Sequence, residues 1–258
     1  MPLSKTRWPF DPVSTRPLVH RMLRVASATV SLGAMLGCQG IVSSPVMSQA
    51  RVIVTSPDAP GLDMYLNAAP LVYNLGFGTI TSYVPLDAGI YTVFAKSAGT
   101  AQVMSSAKGT FVSSAQYTVL VGNVSASLTE TILKDQSQAA PSGQVALRFI
   151  GEATRVGGLD IYLVPAGQKI TAVTPLITNF NFSGNTGYLN VPTGAYTLVL
   201  VPTGTVPNST TVATYTGAQV TYSAGCARTI VLIDQQLVNT PGLQVITAAD
   251  YDSPTATS

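Results

Sequence analysis

Gly61-Leu62-Asp63-Met64-Tyr65-Leu66 returns later in the chain as Gly158-Leu159-Asp160-Ile161-Tyr162-Leu163. In each copy three apolar residues alternate with an Asp and a Tyr. Successive side chains of a strand point to opposite faces, so Leu62, Met64 and Leu66 should face a core, as should Leu159, Ile161 and Leu163. Asp63, Tyr65, Asp160 and Tyr162 then share the other face. Outward from these segments, VIVT (52–55), YTVFA (91–95), YTVLV (117–121), YTLVLV (196–201) and TIVLI (229–233) recur between clusters of Gly, Pro, Asn and Ser. Short runs so punctuated are the pattern of a sandwich or barrel, and from Val52 onward no stretch sustains a helical period.

The repeat extends further. Gly89-Ile90-Tyr91-Thr92 through Gly99-Thr100 matches Gly194-Ala195-Tyr196-Thr197 through Gly204-Thr205, and Phe77 and Tyr83 match Phe182 and Tyr188. The spacing between copies grows from 97 residues in the first block to 105 in the second, so the second copy carries about eight extra residues between Val164 and Asn181. Each copy is long enough to bury a core of its own. The expected architecture is all-β: two tandem immunoglobulin-like (Greek-key) β-sandwich domains, 51–135 and 144–252, with a polar linker at 136–143 and a tail at 253–258. Tyr91 and Tyr196 each follow a turn that looks like the tyrosine corner of such sandwiches, in which the hydroxyl bonds back to the preceding backbone. Gly89 and Gly194 should supply the freedom that turn needs.

The segment from Arg51 through Val-Ile-Val-Thr-Ser-Pro-Asp-Ala-Pro-Gly-Leu-Asp-Met-Tyr to Leu66, with the Phe77–Thr100 block, resembles a bacterial extracytoplasmic domain family of unknown function. Its members commonly read R-V-x-H-A-S-P-D-A-P-x-V-D-V-Y. The resemblance covers Arg51 to about Asp135 and implies tandem β-sandwiches in secreted proteins or lipoproteins; it implies no reaction. In the second copy Arg148-Phe-Ile-Gly-Glu-Ala-Thr replaces the Ser-Pro-Asp-Ala-Pro run, and Val54-Thr55 stand near the place of the family His.

Ahead of the repeats, Arg21 and Arg24 precede the apolar run VASATVSLGAMLG, which ends at Cys38. The run is too short to span a bilayer and has the layout of a secretory signal. Met35-Leu36-Gly37-Cys38 resembles a bacterial lipobox, with Met35 where Leu is usual. The expected organisation is a signal region at 1–37 with translation starting at Met22, lipid on Cys38, and a tether at 38–50. Gln39 after the lipidated residue favours the outer membrane where there are two. Processing would remove five of the 13 basic and one of the 11 acidic residues, turning the formal +2 into about −2.

The same cut removes His20, the only histidine. Hydrolases built on Ser-His-Asp or Cys-His need that imidazole, and most catalytic zinc sites use a His ligand. With Cys38 lipidated, Cys226 has no intrachain partner. The remaining basic residues are scattered, so no clustered patch suggests nucleic acid. Hydrophobic residues make up 46% of the chain and charged ones 9%, which suits a folded β protein.

Among possible sites, Asp58 and Asp63 are too few for calcium, which takes six to eight oxygens. Asp58 reads as a turn residue and Asp63 as a hydrogen-bonding strand residue. Glu130 and Glu152 are the only glutamates, one per copy, and a glycosidase would need two carboxyls flanking a cleft. The expected function is therefore a lipid-anchored envelope protein without catalytic activity, metal or cofactor, which recognises an unknown protein or glycan. The alternatives are a carboxylate-based polysaccharide hydrolase and a strand-exchanging assembly subunit.

Overall fold

The computed structural model describes residues 46–236 and 242–252. The signal region, Met22, Cys38 and the tail 253–258 lie outside the described residues. The first copy folds as β1 (Ser48–Val54), β2 (Leu62–Leu66), β3 (Ala69–Leu75), β4 (Val84–Leu86), β5 (Gly89–Ser97), β6 (Val103–Phe111), β7 (Gln116–Gly122) and β8 (Thr129–Lys134). The second repeats this series as β9 (Gln144–Gly151), β10 (Leu159–Pro165), β11 (Ile177–Phe180), β12 (Asn185–Pro192), β13 (Gly194–Pro202), β14 (Tyr215–Tyr222), β15 (Ala227–Asp234) and β16 (Leu243–Tyr251). The strands form four four-stranded sheets, two to each sandwich.

Each copy divides its strands identically. One sheet has the order β4-β1-β7-β8, with β1 parallel to β7, and its counterpart is β12-β9-β15-β16, with β9 parallel to β15. The other sheets, β3-β2-β5-β6 and β11-β10-β13-β14, are antiparallel throughout. The chain crosses between layers after β1, β3, β4 and β6, and again at the equivalent places in the second copy, so most contacts are non-local.

Alternation fills the two sandwich cores. Val52, Val54, Met64, Val93, Val119 and Phe111 meet between the sheets of the first sandwich, and Leu147, Phe149, Ile161, Leu200, Ile230 and Leu232 between those of the second. The predicted apolar triplets of β2 and β10 lie in these cores. The strands β1, β7, β9 and β15 are buried on both faces, which explains their nearly continuous apolar runs. Their second faces meet in a third packed layer, where Ile53 and Leu120 of one sandwich touch Ile150, Val231, Ile233 and Ala248 of the other. The two parallel-paired sheets are therefore inner layers, and the antiparallel sheets are outer layers. The linker takes part too: Ala140 is buried with Ala146 and Ala227, against Tyr188 and Tyr251.

The eight or so extra residues marked by the change in spacing lie between β10 and β11, and the connection from β13 to β14, 203–214, is also longer than its counterpart in the first copy, 98–102. In the first copy β2 and β3 are joined by a tight turn with Asn67 at φ 52°, and the Asn67 side-chain oxygen accepts the Thr92 N–H at 2.9 Å. Between β10 and β11 the chain instead makes a longer excursion containing a 3-10 turn at Ile170–Ala172.

Candidate functional site

The repeated Asp of β2 and β10 is nearly buried and bonds both neighbouring strands. Asp63 accepts the N–H of Asn74 at 2.8 Å and of Gly99 at 2.9 Å. Asp160 accepts those of Asn179 at 2.8 Å and Gly204 at 3.0 Å. All four donor residues have positive φ, so each carboxylate secures two left-handed positions that would otherwise leave their N–H groups unpaired. Asp58 accepts the Ser125 N–H at 2.7 Å, tying its loop to the one after β7.

The repeated tyrosines divide. Tyr91 donates to the Asp87 carbonyl at 3.1 Å, and Tyr196 to the Pro192 carbonyl at 3.0 Å. Each ring lies over the glycine two residues earlier: a Cβ on Gly89 would sit 3.3 Å from the Tyr91 ring, and one on Gly194 would sit 3.4 Å from that of Tyr196. Only Gly194 has positive φ, so at Gly89 the ring's close approach, rather than backbone freedom, calls for glycine. Tyr65 and Tyr162 face outward from their sandwich cores but meet different surroundings. The Tyr65 ring packs edge-on to Tyr73 with centroids 6.2 Å apart, and the Lys96 ammonium stands 4.2 Å from its centroid. Tyr162 is covered.

Its cover makes the candidate site. In register with Asp160 and Tyr162, β13 presents Val201 and Val199, whereas β5 presents Lys96 and Phe94 opposite Asp63 and Tyr65. The outer face of the second sandwich is consequently apolar. Tyr162, Val164, Val199 and Val201 form a buried cluster on it, beneath Ile170 and Val173 of the insertion and Ala213 of the loop before β14. The two covering segments leave a groove of about 340 Å³, near the lower end of the size range of small-molecule pockets. Val199 and Val201 supply apolar wall, while Gln168, Thr197, Thr216 and Gln219 add neutral hydrogen-bonding groups; none of the described lining residues is charged.

The glutamates lie on opposite faces of the β8 sheet. Glu130 points into the first core, where its Oε1 accepts from Ala95 N–H at 2.8 Å and Ser105 Oγ at 2.9 Å. Thr129 and Thr131, on the reverse face of β8, line a different cavity together with Glu152. Burial pushes both carboxyls up to about 7, against the opposing pull of their hydrogen bonds. The two are not disposed as an acid and base across one cleft.

A further constellation, not evident in the sequence, lies at the inner seam. Arg51 donates through Nε to Thr118 Oγ1 at 2.9 Å, through Nη1 to the Ala249 carbonyl at 2.7 Å, and through Nη2 to Asp250. Arg148 repeats the pattern: to Thr229 Oγ1 at 3.0 Å, to the Lys134 carbonyl at 3.2 Å, and to Asp135. Thr118 and Tyr83 donate to Asp135 at 2.6 and 2.7 Å, and Thr229 and Tyr188 donate to Asp250 at 2.7 and 2.9 Å. Each guanidinium carbon also lies 4.7 Å from the centroid of its own sandwich's tyrosine ring, Tyr83 or Tyr188. Arg51 and Arg148 thus each pair with the Asp of the other sandwich, in a pseudo-twofold arrangement. Burial, with Asp135 beside it, pushes the Tyr83 phenol up; burial does the same at Tyr188. The polar groups are satisfied within the network, so it reads as the lock between sandwiches. The matching of Tyr83 with Tyr188 was its one visible signal.

Residues 48–162 match the model of a family described as "Domain of unknown function (DUF4397)". No curated protein matches this chain. Among solved structures, the Bacillus anthracis TIE protein is similar at 10% identity and a TM-score of 0.24, over 79% of this chain and 44% of its own. This chain thus spans less than half the length of that protein. A family CBM26 module, CBMbc of Eubacterium rectale Amy13K, solved with maltoheptaose, is similar at 10% identity and a TM-score of 0.21, over 77% of this chain and 96% of its own. Likenesses at those TM-scores do not bear on function.

Proposed function

We propose that this chain is a non-catalytic binding protein of the cell envelope, tethered by lipid on Cys38 and recognising an uncharged stretch of envelope glycan or protein in the groove of the second sandwich. The carrying observation is that groove. It is built by an insertion that the first copy lacks, together with the loop before β14, over Val199 and Val201 where the first copy has Phe94 and Lys96. An apolar wall edged by hydroxyls and amides suits a neutral ligand, because a charged one would be desolvated there without a countercharge. The opposed placement of Glu130 and Glu152 weighs against the hydrolase reading. The test is a pull-down from intact envelopes with the native chain, a Cys38→Ala form and a Val199→Lys form. Loss of a partner in V199K alone supports the groove, and loss in C38A alone assigns recognition to the anchor. An unchanged partner set in V199K removes the groove from the proposal. Labelling with a radioactive fatty acid, absent from C38A, checks the tether.

A further inference from the structure

A second cavity, of about 310 Å³, lies at the seam between the inner sheets. Leu120, Leu133, Ile150 and Phe182 give it apolar walls, and Glu152 stands among them with 7% of its surface exposed. The Glu152 carboxylate accepts from the Thr55 hydroxyl at 3.3 Å, and the backbone N–H of Asn123 favours its charged form. Among the described residues no basic side chain forms an ion pair with it. The groups facing it are Thr55 after β1, Gly122 and Asn123 at the end of β7, Thr129 and Thr131 of β8, and Asn185 of β12. None of these can ionise. A buried carboxylate without a countercharge is costly, and proteins pair such groups.

The pseudo-twofold pattern breaks at this point. Arg51 and Arg148 are equivalent, as are Ile53 and Ile150, so Glu152 takes the place that Thr55 holds in the first copy. Its β7 neighbour is Gly122, where the equivalent β15 residue is Ile233. A Cβ at Gly122 would fall 1.9 Å from Glu152 Oε2 and 2.8 Å from Thr55 Oγ1, so glycine is what admits the carboxylate. The Arg–Asp lock at the other end of the same strands keeps its symmetry, which makes the lone acid beside a cavity a separate feature.

We infer that this cavity binds a small organic cation, a primary amine on a short aliphatic body, with its ammonium on Glu152 and its chain against Leu120, Leu133 and Ile150. The site is independent of the outer groove. Calorimetric titration of the whole processed chain with n-butylammonium, and with n-butanol as the uncharged control, tests it. Near pH 8 the ammonium should bind and the alcohol should not. E152Q, which keeps the shape and removes the charge, should bind about tenfold more weakly or worse, as expected for loss of a charge-assisted hydrogen bond. Near pH 5, where the acid is protonated, native binding should fall to the E152Q level. Thr129→Phe, which fills the cavity from its β8 wall and leaves Glu152 in place, should weaken binding while leaving the fold intact by circular dichroism. Equal binding by native and E152Q protein, or no binding of the ammonium by native protein, would overturn the inference.

Discussion

Glu130 and Glu152 make this fold sensitive to pH in a direction set by burial. Their ordinary value is 4.5, and in the folded chain both rise to about 7. Between those values the native state holds protons that the unfolded chain has released, so their contribution to stability is full below about pH 4.5 and is lost as pH rises through 7. A tenfold change in a carboxyl's proton affinity on folding is worth about 1.4 kcal/mol, and roughly 1–3 kcal/mol per carboxyl is expected after allowing for partial hydration. Urea midpoints should be higher at about pH 5 than at about pH 8, and Glu130→Gln with Glu152→Gln should flatten that difference. A second residue-scale expectation concerns Asp63 and Asp160. Each accepts two backbone N–H groups, so Asp63→Ala should cost on the order of 2–3 kcal/mol, the range for buried donors left unpaired; Asp160→Ala should match it in chemical denaturation.

The distinctive element is the excursion after β10. Elsewhere the two copies share strand order and pairing, and here a tight turn has become the cover of an apolar sheet face. Replacing 166–176 with the Asn67–Ala68 turn of the first copy should uncover Tyr162, Val164, Val199 and Val201. Exposed contiguous apolar surface promotes association, so the shortened chain should bind a hydrophobic dye and self-associate in sedimentation. Adding Val201→Lys, which restores the residue type of Lys96, should reverse this.

At the scale of the molecule, the inner seam decides how the halves behave. The lock places Arg51, Arg148, Asp135 and Asp250 almost entirely out of solvent. Removing one member strands its partner, so Arg51→Ala or Asp250→Ala should cost about 3–5 kcal/mol. Replacing all four with well-packed apolar residues should cost far less, because such pairs barely exceed their own desolvation. Halves produced separately, 46–135 and 136–252, would each expose an apolar and charged inner face. They should be less stable apart and recombine on mixing, measurable by calorimetry.

The fold was legible in the sequence because alternation is a local property: β2 and β10 carry their apolar triplets in adjacent residues, and the repeat doubles that signal. The insertion was legible as a change in spacing. Its consequence was not, because a groove requires knowing which sheet face the extra residues cover. The seam was hidden for a similar reason. Arg51 and Arg148 read as scattered charges, Glu152 as one glutamate among two, and Asp135 as the end of a domain. Their roles depend on contacts between residues as distant as 51 and 250. By itself the sequence determined the strands, their inward faces and the two-copy plan, since these follow from side-chain order along the backbone. Only the tertiary structure decided that the parallel-paired sheets meet, that two charged pairs cross between them, and that one acid is left beside a cavity, because burial and pairing arise only when separate strands pack.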